Sequence, residues 1–186
     1  MRLEPIERPR GPLMRLAYWM SRRRFGKVVS PLKVIYARSP KLARLGFHMS
    51  LYVDRGTSLD PALRLLVPAA VAEANGCGFC LDIARALAVQ AHVGLEKFEA
   101  LPDWETSPLF CERERAAFAW AIGVARDVRV PDALFERLRK QFDEREIVEI
   151  TSLAAIESYF NRIAIPFGLE SDGLCAISQK RARVAA

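Results

Sequence analysis

Apolar residues recur every three or four positions along most of the chain, with polar and charged residues between them. That period turns one side of a helix toward a core. After a lead-in that holds Pro5, Pro9 and Pro12 among charges, Leu13, Leu16, Ala17 and Met20 mark one face of a short helix opposite Arg15, Arg22 and Arg23. Ser39 and Pro40 supply a cap and a first-turn proline to a second helix through Leu42, Leu45, Phe47, Leu51 and Tyr52, closed at Arg55-Gly56. Ser58 or Asp60 with Pro61 opens a third, apolar along Leu63, Leu66, Val67, Ala70, Val71 and Ala74. Asn75-Gly76 stops it, because both residues accept the left-handed backbone of a helix end.

The next helix starts at Cys77 and runs through Leu81, Ala84, Leu87, Ala88 and Ala91 to Val93-Gly94. A short segment from Leu95 to Leu101 leads into a Pro/Asp/Trp/Ser loop ending at Pro108. Cys111 to Val128 reads as a helix with Phe118, Ala121, Ile122 and Ala125 inward, and Pro131-Asp132 opens another with Leu134, Phe135, Leu138 and Phe142. Asp143, with Glu146 three residues on, forms a capping-box pattern ahead of a long helix from Ile147 to Ile163. The polar tail, Gln179 to Arg183, is expected to fray. No stretch alternates with the period of a strand, and no internal repeat is present. The pattern predicts an all-α, single-domain helical bundle.

Composition narrows the class. With 186 residues, 51% of them hydrophobic, the chain can bury a core of its own. No apolar run has the length of a membrane span. Met1-Arg2-Leu3-Glu4-Pro5 is too charged to begin a signal peptide, which places the expected compartment in the reducing cytoplasm. The net charge of +6 is uneven: residues 1–50 carry 12 Lys/Arg against 2 acidic residues, and the remainder 16 against 20. A basic N-terminal quarter of this kind either decorates exposed helix faces or forms an arm for a partner.

The candidate chemistry lies in Asn75-Gly76-Cys77-Gly78-Phe79-Cys80. Two thiols one turn apart at the start of a helix feel its unpaired N–H groups and dipole, which stabilise a thiolate. The i,i+3 spacing brings the sulfurs close enough to bond, so that one can attack an oxidised substrate and the other resolve the adduct. Half of a zinc site and a pair of plain core cysteines are the other readings of a single CxxC. Zinc needs more ligands, and Cys111, Cys175, His48 and His92 are not paired with one another, so neither a metal nor a cofactor is expected.

The chain also resembles the carboxymuconolactone decarboxylase-like superfamily, in its alkylhydroperoxidase D-like branch. The resemblance is carried by Ala37 to Leu42, Leu63 to Leu66, Asn75 to Asp82, Trp104 to Phe110, Glu112 to Ala116, Glu144 to Glu149 and Phe160 to Ala164. It implies a helical domain over 25–168, preceded by a basic arm and helix over 1–24 and followed by a tail over 169–186. It further implies thiol-dependent hydroperoxide reduction or thiol–disulfide exchange, with Cys80 attacking the peroxide and Cys77 resolving it and facing an external thiol reductant protein. Homo-oligomers, trimers or hexamers, are implied as well, whereas nucleic acid and membrane are not expected partners. The histidine of the family's CxxCxxxH falls on Ala84, a second histidine position falls on Phe79, and the relay glutamate falls on Leu65. Those replacements predict reduced activity, or else a non-catalytic oligomeric scaffold or binding protein with a basic arm. Glu73, one turn before Cys77, is the candidate substitute acid if the intervening turn folds back. Asp82 should point away as a first-turn helix acid, and Arg85 should lie on the surface.

Overall fold

Helix boundaries in the computed structural model, which describes residues 1–185, follow the local chemistry closely. The helices are α1 (Pro12–Phe25), α2 (Pro40–Arg55), α3 (Pro61–Asn75), α4 (Gly78–Gln90), α5 (Glu96–Glu99), α6 (Glu112–Asp127), α7 (Asp132–Arg139), α8 (Glu144–Ala164) and α9 (Leu174–Ala185). The described residues contain no strand, so the all-α expectation holds. Asp60 caps α3 by accepting the Leu63 N–H at 2.9 Å, and Asp143 and Glu146 form the expected capping box on α8. Prolines occupy the first turns of α1, α2 and α3, where a missing N–H costs nothing.

Two apolar clusters make the core. Leu66, Val67, Phe98, Phe118, Leu138, Ile150 and Leu153 belong to the first, where α3, α6 and α8 pack together. The second gathers Met14, Tyr18, Val34, Tyr36, Ala72, Cys77, Phe79, Cys80 and Leu174. Helix α3 feeds both and is apolar nearly all round, as a helix enclosed by others must be.

Four features depart from the sequence pattern. In α1 the buried residues are Met14, Tyr18, Ser21 and Phe25, while Leu13, Leu16 and Met20 face out. Tyr18 decides the rotation: its hydroxyl donates to the Ile6 carbonyl at 2.6 Å and ties the extended lead-in to the body. A π-helical turn, Leu32–Tyr36, follows α1, and Gly46 of α2 docks so tightly on it that a Cβ there would sit 2.8 Å from the Tyr36 hydroxyl. Helix α4 ends at Gln90, because His92 turns the chain with φ 55°. The tail does not fray. It forms α9, which packs along α4 with Leu174 and Ser178 buried. No helix of the described residues is long and apolar enough to cross a membrane.

Candidate functional site

The site begins with a two-residue corner. Gly76 ends α3 in the left-handed conformation, φ 68°, and its N–H donates to the Glu73 carbonyl at 3.0 Å. Cys77 then donates its own N–H to the Ala72 carbonyl at 2.9 Å and becomes the N-cap of α4. These bonds satisfy carbonyls that the end of α3 would leave open, and they allow α4 to start at once. Both cysteines therefore sit at the opening turn of α4. Their Cα atoms are 5.3 Å apart and their sulfurs are joined as a disulfide.

Cys77 is wholly buried and Cys80 is 5% exposed, both in the second apolar cluster beside Phe79. The sulfur that the resemblance turns toward an outside reductant is thus the more deeply covered one. Cys77 belongs to the same apolar cluster as Ala72 of α3 and Ala86 of α4.

One polar group reaches the pair. Asn161, on α8, places Nδ2 3.1 Å from Cys80 Sγ and 2.5 Å from Glu157 Oε1. Its Oδ1 accepts from Asn75 Nδ2 at 2.8 Å, which fixes the way round of the amide. One side chain thereby links the end of α3, the sulfur on α4 and a carboxyl on α8. Glu157 is half-buried, and burial pushes its carboxyl up to about 7 against the opposing hydrogen bond from Asn161. The nearby phenols Tyr36 and Tyr159 are likewise raised by burial.

The structure brings Cys77 and Cys80 together as their spacing predicts. Glu73 stands half-buried on the last turn of α3, and among the described residues its carboxylate has no hydrogen bond to either sulfur. Ala84 and Leu65 lie in or against the first apolar cluster, so the two positions carry packing and no charge. Asp82 is not a solvated first-turn acid. It is buried, and it accepts the N–H groups of Asp172, Leu174 and Cys175, each at 2.9 Å. Arg85 is half-buried, with Nη2 3.4 Å from the Phe98 carbonyl. His48 and His92 are exposed.

Glu157 lies outside every matched stretch, and Asn161, although inside Phe160 to Ala164, has no role there that the sequence assigns. Their signal is a pair of polar side chains at i and i+4 on the face of α8 that also buries Leu153, Ala154 and Ala164. A buried amide there demands partners, and the corner at Cys77 supplies them.

The model of the carboxymuconolactone decarboxylase family matches residues 40–122. The uncharacterized protein YnjA of Escherichia coli (strain K12) is 33% identical over 171 residues, which is 91% of this chain and 93% of that protein. Among solved structures, ATU0492 from Agrobacterium tumefaciens, a protein of unknown function and candidate antioxidant defence protein AhpD, is 28% identical with a TM-score of 0.67, covering 74% of this chain and 96% of its own. The debrominase Bmp8, in a cysteine-to-alanine variant holding 2,3,4-tribromopyrrole, superposes with a TM-score of 0.80 over 98% of this chain and 97% of its own. At 20% identity that likeness is one of fold.

Proposed function

The chain belongs to the carboxymuconolactone decarboxylase family, in its alkylhydroperoxidase D-like branch, and we propose that it is a thiol-dependent peroxidase acting through Cys80 and Cys77. The observation that carries the reading is the bonded sulfur pair at the start of α4, with an amide N–H aimed at Cys80 alone. In the reduced protein that N–H and the N-terminal end of α4 both favour negative charge on Cys80 Sγ. The thiolate attacks the terminal oxygen of a hydroperoxide. An S–O bond forms, the O–O bond breaks, and the leaving oxygen takes a proton to depart as an alcohol. Cys80 is then a sulfenic acid. Cys77 attacks its sulfur, forming the disulfide and releasing water, and an external dithiol returns two electrons to restore both thiols.

A direct test counts free thiols in the reduced protein, which has four cysteines, before and after one equivalent of an organic hydroperoxide. Wild-type protein should lose two thiols, and a Cys80→Ser variant none. An unchanged count in the wild type removes the reading. Assembly into trimers or hexamers is proposed on the exposed apolar residues Leu13, Leu16 and Trp19 of α1 and Leu45, Phe47 and Leu51 of α2. Sedimentation as a monomer would refute that part.

A further inference from the structure

We propose that Glu157 is the proton-holding partner of Cys80: it takes the proton of the thiol as the thiolate forms and gives it to the oxygen that leaves. The inference rests on the thiol-peroxidase reading for its second half, and on geometry alone for its first.

Glu157 Oε1 and Cys80 Sγ approach the same nitrogen, Asn161 Nδ2, at 2.5 and 3.1 Å. The two distances laid end to end place oxygen and sulfur within 5.6 Å of each other. A reacting oxygen between them would be in hydrogen-bond reach of the carboxyl and in attack range of the sulfur. Asn161 can face both anions because an amide nitrogen has two N–H groups, and Asn75 holds its oxygen turned away from both. What the amide cannot do is neutralise two charges. A carboxylate and a thiolate so close, the carboxyl already partly desolvated, disfavour each other, so the reduced pair settles on one negative charge and one proton.

The surroundings leave this pairing undisturbed. Arg126 of α6 donates to the Ala74 carbonyl at 2.9 Å, and Arg162 of α8 to the Ala125 carbonyl at 2.9 Å. On α3, Glu73 has no hydrogen bond to Glu157 or Asn161 among the described residues, and Leu65 is apolar, as is Ala84 on α4. Tyr36 and Tyr159 stay neutral phenols through burial. Desolvation brings the Glu157 carboxyl to about 7, where both of its forms are accessible near neutrality.

The exchange balances. Thiol and carboxylate become thiolate and carboxylic acid. As the thiolate bonds to the terminal peroxide oxygen, the O–O electron pair goes to the departing oxygen, which takes the Glu157 proton and leaves as an alcohol. Glu157 is a carboxylate again, and Cys80 keeps the hydroxyl as a sulfenic acid.

The test uses the reduced full-length protein and does not require turnover. The rate at which iodoacetamide alkylates Cys80, read by mass spectrometry of its peptide, is measured against pH in a Cys77→Ser background. With Glu157 present the profile should show two inflections, one for each member of the pair. Glu157→Gln, which keeps an acceptor for Asn161, should leave one. Glu157→Asp should restore the second, which a merely structural role would not do. Hydroperoxide-driven thiol loss, in protein that retains Cys77, should slow about 100-fold in Glu157→Gln. An alkylation profile that Glu157→Gln leaves unchanged overturns the proposal. If the profile collapses to one inflection but even wild-type protein leaves hydroperoxide untouched, the proton pairing stands and the peroxidase reading falls.

Discussion

Asp82, in the second turn of α4, caps a helix far along the chain: its Oδ2 accepts the N–H of Leu174, 92 residues on, at 2.9 Å at the start of α9. Its two oxygens also take the amides of Asp172 and Cys175, so one buried carboxylate gathers three N–H groups at the head of the last helix. The same residue follows Cys80 by two positions. Docking of α9 and placement of the sulfur pair are therefore carried by one short stretch of α4.

Replacing Asp82 with alanine should accordingly cost about 2–4 kcal/mol, since it leaves buried amides without acceptors. Asp82→Asn keeps one acceptor oxygen and should cost less. Urea denaturation of the disulfide form measures both. A loss no larger than that of an ordinary surface substitution would show that α9 docks without its cap.

Asn161→Ala removes the group that holds Cys80, Glu157 and Asn75 together. The expected outcome is a destabilisation of about 1–3 kcal/mol, because three partners, one buried and two half-buried, lose their hydrogen bonds. Hydroperoxide-driven thiol loss should slow by about 10-fold as the thiolate loses its donor. A variant as fast as the wild type would mean that the helix terminus alone suffices.

Stability should depend on pH in two opposed ways. Glu157 binds its proton more tightly in the folded disulfide form, at about 7, than in the unfolded chain. Its stabilising contribution is complete below the ordinary glutamate value of 4.5 and is lost as pH rises through about 7. Glu149 and Glu114 act in reverse. Burial pushes each upward, yet hydrogen bonds outweigh it: from the Ser58 amide and hydroxyl and Arg145 for Glu149, and from Lys97 and the Cys111 amide for Glu114. Both carboxyls are held low, so their contribution is present above the ordinary value and lost as pH falls toward their folded values. Unfolding free energies across a pH series should rise out of acid and then decline toward neutrality. Glu157→Gln should erase only the decline.

Gly76→Ala meets no neighbour within 4 Å, so only the positive φ opposes it. The expected cost is about 1 kcal/mol. Thermal unfolding checks this, and a neutral result would show that the corner between α3 and α4 relaxes without disturbing the cysteines.

Much of this molecule was legible before any coordinates. The starts of α2, α3 and α8 follow from Pro40, Asp60 with Pro61, and the Asp143–Glu146 box, each of which acts within one turn of itself. The end of α3 at Asn75-Gly76 and the sulfurs at the next helix start follow for the same reason. Orientation was harder to read. The apolar spacing of α1 suits either Leu13, Leu16 and Met20 or Met14, Tyr18 and Phe25, and only the neighbours of Tyr18 choose between them. The polar tail gave no local sign of a docked helix, because its cap comes from Asp82.

By itself, then, the amino-acid order determined where helices begin and end and that two thiols would meet. Capping, proline and the i→i+4 ladder are short-range, and so is a CxxC. Tertiary structure decided which faces are covered and what stands beside the reactive sulfur. Asn161 is 81 residues from Cys80, and no local rule joins an amide on one helix to a thiol on another. That contact exists because α3, α4 and α8 bury their apolar sides together, and a polar side chain caught in that packing has to find its partners there.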